Sequence, residues 1–65
     1  MKSKTDDGSI VVLEDRSAWE IDLFDRLDTA LWLPMTSITV VEITGGYLLI
    51  NTDDGEKAEA QLLSR

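Results

Sequence analysis

A chain of 65 residues with no cysteine and no histidine excludes disulfides, thiolate metal sites, and the commonest zinc ligand and general base. Thirteen Asp and Glu against six Lys and Arg leave a net charge of −7. The cations are scattered (Lys2, Lys4, Arg16, Arg26, Lys57, Arg65), so neither a nucleic-acid backbone nor an anionic membrane surface is an expected partner.

The apolar share of 43%, with two Trp, one Tyr and one Phe, is that of a folded chain. A chain this short buries only about 60% of the surface its unfolded form exposes, so self-association is one expected way to supplement a thin core. The start, MKSKTDDGS, shows no hydrophobic stretch after its lysines, and no run approaches the roughly 18 to 20 apolar residues of a membrane span. Residues 1–7 are expected to be a flexible tail and residues 8–65 a single small β domain. The expected location is cytoplasmic as the chain stands, or periplasmic or secreted if an export signal has been removed.

Ser9 to Leu13 is a short β-branched run closed by the polar cluster Glu14-Asp15-Arg16-Ser17, which predicts a strand and a turn. Ala18-Trp19-Glu20-Ile21-Asp22 alternates with period two and predicts a partner strand with Trp19 and Ile21 inward. Leu23, Phe24, Leu27 and Leu31 then recur at helical spacing, and Asp22 is placed to cap a short amphipathic helical turn around residues 23–29. Pro34, the only proline, cuts off any longer helix.

Ser37 to Ile43 is the clearest strand by composition. Its alternation slips at Val40-Val41, which suggests a bulge or a central strand covered on both faces. Gly45-Gly46 predicts a tight turn, Tyr47 to Ile50 the returning strand, and Asp54-Gly55 another turn. Glu56 to Leu63 holds good helix formers, yet Ala58, Ala60 and Leu62 alternate with Lys57, Glu59 and Gln61. The preceding turn and the shortness of the segment favour a strand. Five short strands with tight turns predict an all-β chain, closed as a small five-stranded, partly open barrel.

DDGSIVVLEDRSAWEID, LDTALWLPMTSITVVE and YLLINTDDGEKAEAQLL together resemble a group of small bacterial proteins to which no activity is assigned. The shared pattern is Asp-Gly-Ser, Trp-x-Ile, Leu-Trp-Leu-Pro, Ile-x-Val and Asn-x-x-x-Gly-Glu, running from about Asp7 to Leu63. Met35-Thr36 departs from the Gly-Asp turn that commonly follows the proline in that group. The resemblance implies a small SH3-like barrel and, since members often carry an export signal, a periplasmic or secreted setting.

Three kinds of site can be weighed. Asp22, Asp25 and Asp28 would share a helical face, but a carboxylate pair does acid–base work only when desolvated, and a solvated rim with a cap explains them. Asn51, Asp53, Asp54 and Glu56 invite a calcium reading. With Gly55 as the sixth loop residue, Ile50 would fall at the first position and Thr52 at the third, so the register fails. A hairpin turn accounts for that loop, and equally for Asp6-Asp7-Gly8. No cofactor or metal is expected.

The aromatics remain. Trp19 is expected in the core. In Ala30-Leu31-Trp32-Leu33-Pro34, alternation puts Leu31 and Leu33 on one side and Trp32 on the other, and so small a domain cannot enclose both. Either the segment plugs the barrel mouth, or one side is apolar surface for another molecule. Leu31, Trp32, Leu33, Pro34, Met35 and Tyr47 are therefore the interaction candidates. The expected function is a non-enzymatic interaction module whose partner is a protein or a second copy of the chain. The alternatives are a small carboxylate enzyme or an acidic partner of a basic protein.

Overall fold

The computed structural model describes residues 1–65. The chain is mostly strand: β1 (Ser3–Lys4), β2 (Ile10–Val12), β3 (Ala18–Ile21), β4 (Ile38–Ile43), β5 (Gly46–Asn51) and β6 (Lys57–Ser64). A 3-10 turn (Leu23–Asp25) leads into the single short helix α1 (Arg26–Ala30) between β3 and β4. All six strands join one antiparallel sheet in the order β1-β2-β3-β6-β5-β4. The sheet therefore has six strands rather than the expected five, and its edge strands β1 and β4 do not pair to close a barrel. Where closure would occur lies a gap of about 600 Å³ lined by Met1, Leu13, Glu14, Met35, Ile38 and Val40, among others.

The sixth strand comes from the segment expected to be a tail. Ser3 and Lys4 pair with Val12 and Val11, and the Met1 side chain is buried in the core. The turn joining β1 to β2 is organised by one carboxylate. Asp7 Oδ1 accepts from the Thr5 and Ser9 hydroxyls and from the Ser9 backbone N–H. Gly8 follows at φ 76°, in the left-handed region that a side chain disfavours.

The interior is filled by Met1, Val11, Leu13, Trp19, Ile21, Trp32, Leu49, Ala58 and Ala60. Large and small residues face one another across the central strand β6: Leu49 lies opposite Ala58, while Ile21 and Tyr47 flank Ala60. This explains why the alanine-rich segment is a strand despite its helix propensity. Alternation buries Ala58 and Ala60, and their small side chains leave room for the rings packed above. Trp19 meets Tyr47 edge-on at 4.9 Å between ring centroids, and its Nε1–H donates to Ser17 Oγ at 2.8 Å.

The slip at Val40-Val41 has a different cause from either one expected. β4 pairs with β5 in unbroken register from Ile38 to Ile43, and the one shift in the sheet lies between Ala18 and Trp19. β4 is an edge strand with both faces partly open, so its pattern carries no strict alternation. β2 is not an edge strand, because β1 pairs with it at Val11 and Val12. In the β4–β5 hairpin only Gly45 takes a positive φ, and Gly46 already belongs to β5.

The helical turn falls at residues 23–30, close to expectation, with Asp22 accepting the Phe24 N–H as its cap. Its orientation is the reverse of the usual amphipathic helix. Leu23, Phe24, Leu27 and Leu31 are 69%, 90%, 84% and 80% exposed, while Thr29 is fully buried. The polar side meets the sheet and its loops: Thr29 Oγ1 donates to the Gly8 carbonyl at 2.7 Å, Arg26 Nε to the Ile21 carbonyl at 2.9 Å, and Asp25 Oδ2 accepts from the Glu59 N–H at 3.0 Å.

A Cβ on Gly8 would strike the Arg26 carbonyl oxygen, Thr29 Oγ1 at 2.5 Å and the Ala30 nitrogen at 2.6 Å. Gly8→Ala is expected to cost about 3 kcal/mol or more, combining left-handed strain with overpacking. Gly45→Ala, with φ 85° but open space around it, should cost about 1 to 2 kcal/mol. Urea unfolding of both variants checks this, and equal losses would contradict the close docking at Gly8.

The hydrogen bonds from the Ser9 hydroxyl, the Ser9 backbone N–H and the Thr5 hydroxyl hold the Asp7 pKa at about 2, below its ordinary 3.8. The Ser17 hydroxyl and N–H lower Asp15 in the same direction. As the pH falls below the ordinary value the unfolded chain takes up the proton first, so stability present above about pH 4 is lost toward about pH 2. Asp7→Asn should lower the urea midpoint near neutrality, and the gap to the unsubstituted chain should close near pH 2. A gap independent of pH would contradict this role.

Candidate functional site

The candidate residues separate into inward and outward sets. Trp32 is 3% exposed, whereas Leu33 and Met35 are 71% and 93% exposed. The segment thus does both things the alternation allows, sending its indole into the core and its aliphatic neighbours into solvent. The reversal is set locally. The Leu31 and Trp32 N–H groups donate back to Asp28 and Thr29, extending the helical turn until Pro34 and the Thr36-to-Leu33 hydrogen bond bend the chain toward β4.

The indole is anchored from the β5–β6 loop. Trp32 Nε1–H donates to Glu56 Oε1 at 3.0 Å. Glu56 is placed by its own N–H on Asp54 Oδ1 and by its carbonyl accepting from Asn51 N–H. Asn51 is itself buried, and its Oδ1 accepts from Asp53 N–H. The loop that invited a calcium reading uses its oxygens to cap backbone amides and to hold the tryptophan, and no three acidic groups gather in a metal-holding cluster.

Leu31 and Leu33, with Trp32 beneath them, form a ridge between two grooves. One, of about 460 Å³, is edged by Lys2, Ser3 and Lys4; the other, of about 260 Å³, by Asp53, Asp54 and Glu56. Tyr47 does not join this surface: its ring packs edge-on against Trp19 in the partly buried layer around the core. Pro34 is exposed at the end of the ridge.

Five residues of this surface escaped sequence reasoning. Leu23, Phe24 and Leu27 carry an amphipathic pattern, and such a pattern ordinarily signals an inward apolar face. Lys2 and Lys4 lay in the assumed tail. The available signal was a count: two Trp, Tyr, Phe and the aliphatic residues exceed what so small an interior can hold.

Of the Asp22, Asp25 and Asp28 series, the first two serve structure and Asp28 is exposed. Asp22 caps the helical turn, and Asp25 docks it on β6.

Trp32→Ala is expected to cost about 3 to 5 kcal/mol by leaving a cavity, enough to unfold a chain of this size. A Leu31→Ser, Leu33→Ser double variant should stay within about 1 kcal/mol of the unsubstituted chain, since both side chains are already in water. Thermal melts of the two variants read this split, and comparable losses would mean the ridge is structural. No helix is long and apolar enough to cross a membrane. Comparison of the chain with protein-family models, with curated proteins and with solved structures gave no match.

Proposed function

We propose that this chain is a non-enzymatic interaction module, in which a curled, SH3-like sheet serves as the scaffold for an apolar contact surface. One observation carries the reading. Leu31, at the end of the helical turn's outward stripe, and Leu33 and Met35 after it in the chain are at least 71% exposed although the tryptophan among them is buried. With Trp32 inside, the small interior is full and its neighbours stay in water, and exposed apolar patches of this kind mark contacts with other molecules. The side chains are held by a rigid base, because the indole below is fixed by packing and by Glu56. Little backbone entropy would then be lost on binding.

The test compares the chain with its Leu31→Ser, Leu33→Ser variant as affinity baits in cells that naturally make the protein, with melting temperature as the control for folding. The expected result is one or a few proteins, copies of the chain included, that are enriched by the unsubstituted bait and lost about tenfold or more with the variant. Equal enrichment by both baits would place the contact surface elsewhere, and no specific enrichment by either would remove the interaction reading.

A further inference from the structure

We infer that the occupant of the apolar ridge is a second copy of this chain, docked about a two-fold axis running along Leu31–Leu33. This rests on the ridge being a contact surface and adds what contacts it. The ridge has opposite charge on its two sides: Lys2 and Lys4 edge one groove, while Asp53, Asp54 and Glu56 edge the other.

A two-fold axis parallel to a ridge exchanges left and right as it turns the second copy over. The lysine side of each copy then faces the carboxylate side of the other, twice in one interface. An axis across the ridge would set lysine against lysine and carboxylate against carboxylate. Closed pairs reuse one surface on both copies, so the surface must complement itself. The present charge arrangement does so in one orientation only, which also sets the register of docking.

The area is adequate. Leu23, Leu27 and Leu31, at four-residue spacing through the helical turn, and Leu33 beside them expose on the order of 100 Å² of apolar surface each, or roughly 400 Å² together, within the range for the largest patch on a monomer. With the charged flanks added, this approaches the ~800 Å² per partner of a specific interface.

The charge of −7 on each copy opposes association in general. At physiological salt, however, charges farther apart than about 8 Å are largely screened, so the flanks in direct apposition decide. A uniformly cationic partner would match the carboxylate groove and be repelled at the lysine groove. A uniformly anionic partner would meet the reverse.

A charge exchange tests the arrangement. Lys2→Glu with Lys4→Glu makes both flanks negative. Asp53→Lys with Asp54→Asn removes the net negative charge of the other flank while keeping the side-chain oxygen at position 54 that caps the Glu56 N–H. Sedimentation of the unsubstituted chain from micromolar to millimolar concentration should show a monomer–dimer equilibrium. The first variant should be monomeric, and the second should dimerise about tenfold more weakly. An equimolar mixture should form a mixed dimer more tightly than either variant pairs with itself, and melting curves check that both are folded.

An unsubstituted chain that stays monomeric throughout, or variants that associate no better mixed than alone, would overturn the second copy as occupant. The bait comparison reads the ridge separately. Loss of a different protein with Leu31→Ser, Leu33→Ser would leave the interaction module standing while this inference fails.

Discussion

The contact between Thr29 and Gly8 determines what this molecule presents to its surroundings. The hydroxyl of a fully buried threonine donates to a carbonyl 21 residues away, across a glycine that lets two backbones approach within the space of a methyl group. With Thr29 held there, the helical turn can rest on the body of the protein only through Asp25, Arg26 and Thr29. The opposite arc, Leu23, Phe24, Leu27 and Leu31, must then face water. Any side chain at position 8 would lift the turn and change which arc is covered.

That contact is supported by short-range polar chemistry and no large apolar interface. Asp7 gathers Thr5 and Ser9 around itself and shapes the turn that offers the Gly8 carbonyl. The same device recurs at Asp15 with Ser17, at Asp22 with Phe24 N–H, and at Asp54 with Glu56 N–H. In this acidic chain, four of the thirteen carboxylates thus close turns by accepting from nearby donors. Each such turn sets a larger feature: the seat of the helical turn, the hydroxyl that meets Trp19, or the carboxylate that meets Trp32.

The two tryptophans show how a small interior is divided. Trp19 lies on a central stretch of sheet and packs across β6 with Tyr47, where alanines make room. Trp32 reaches the same core from a loop and is held by a carboxylate of the β5–β6 loop. Together they fill the space that a longer chain would fill with the aliphatic side chains of a helix. Leu31 and Leu33 are left outside because the interior is already occupied, and the uneven charge beside them gives that leftover surface a direction.

Much of the architecture was legible in single residues. Alternation in Ala18–Ile21, the Asp-Gly turn before Glu56, the cap at Asp22 and the stop at Pro34 are local signals, written in backbone preference over a few residues, and they predict an all-β chain with one short helical turn. Three features were not legible: β1, the unclosed seam beside β4, and the outward face of the helical turn. Pairing of Ser3 and Lys4 with β2 depends on a neighbour rather than on their own propensity. A strand's place at a sheet edge depends on which strands lie beyond it. The face a helical turn buries depends on what docks against it, and here a hydrogen bond to a glycine carbonyl outweighed the leucine stripe. Local sequence determined where β2 to β6 and the helical turn lie and that Trp19 would be enclosed. Only the tertiary structure decided which apolar side chains were left over, because that is settled by competition for a fixed interior volume.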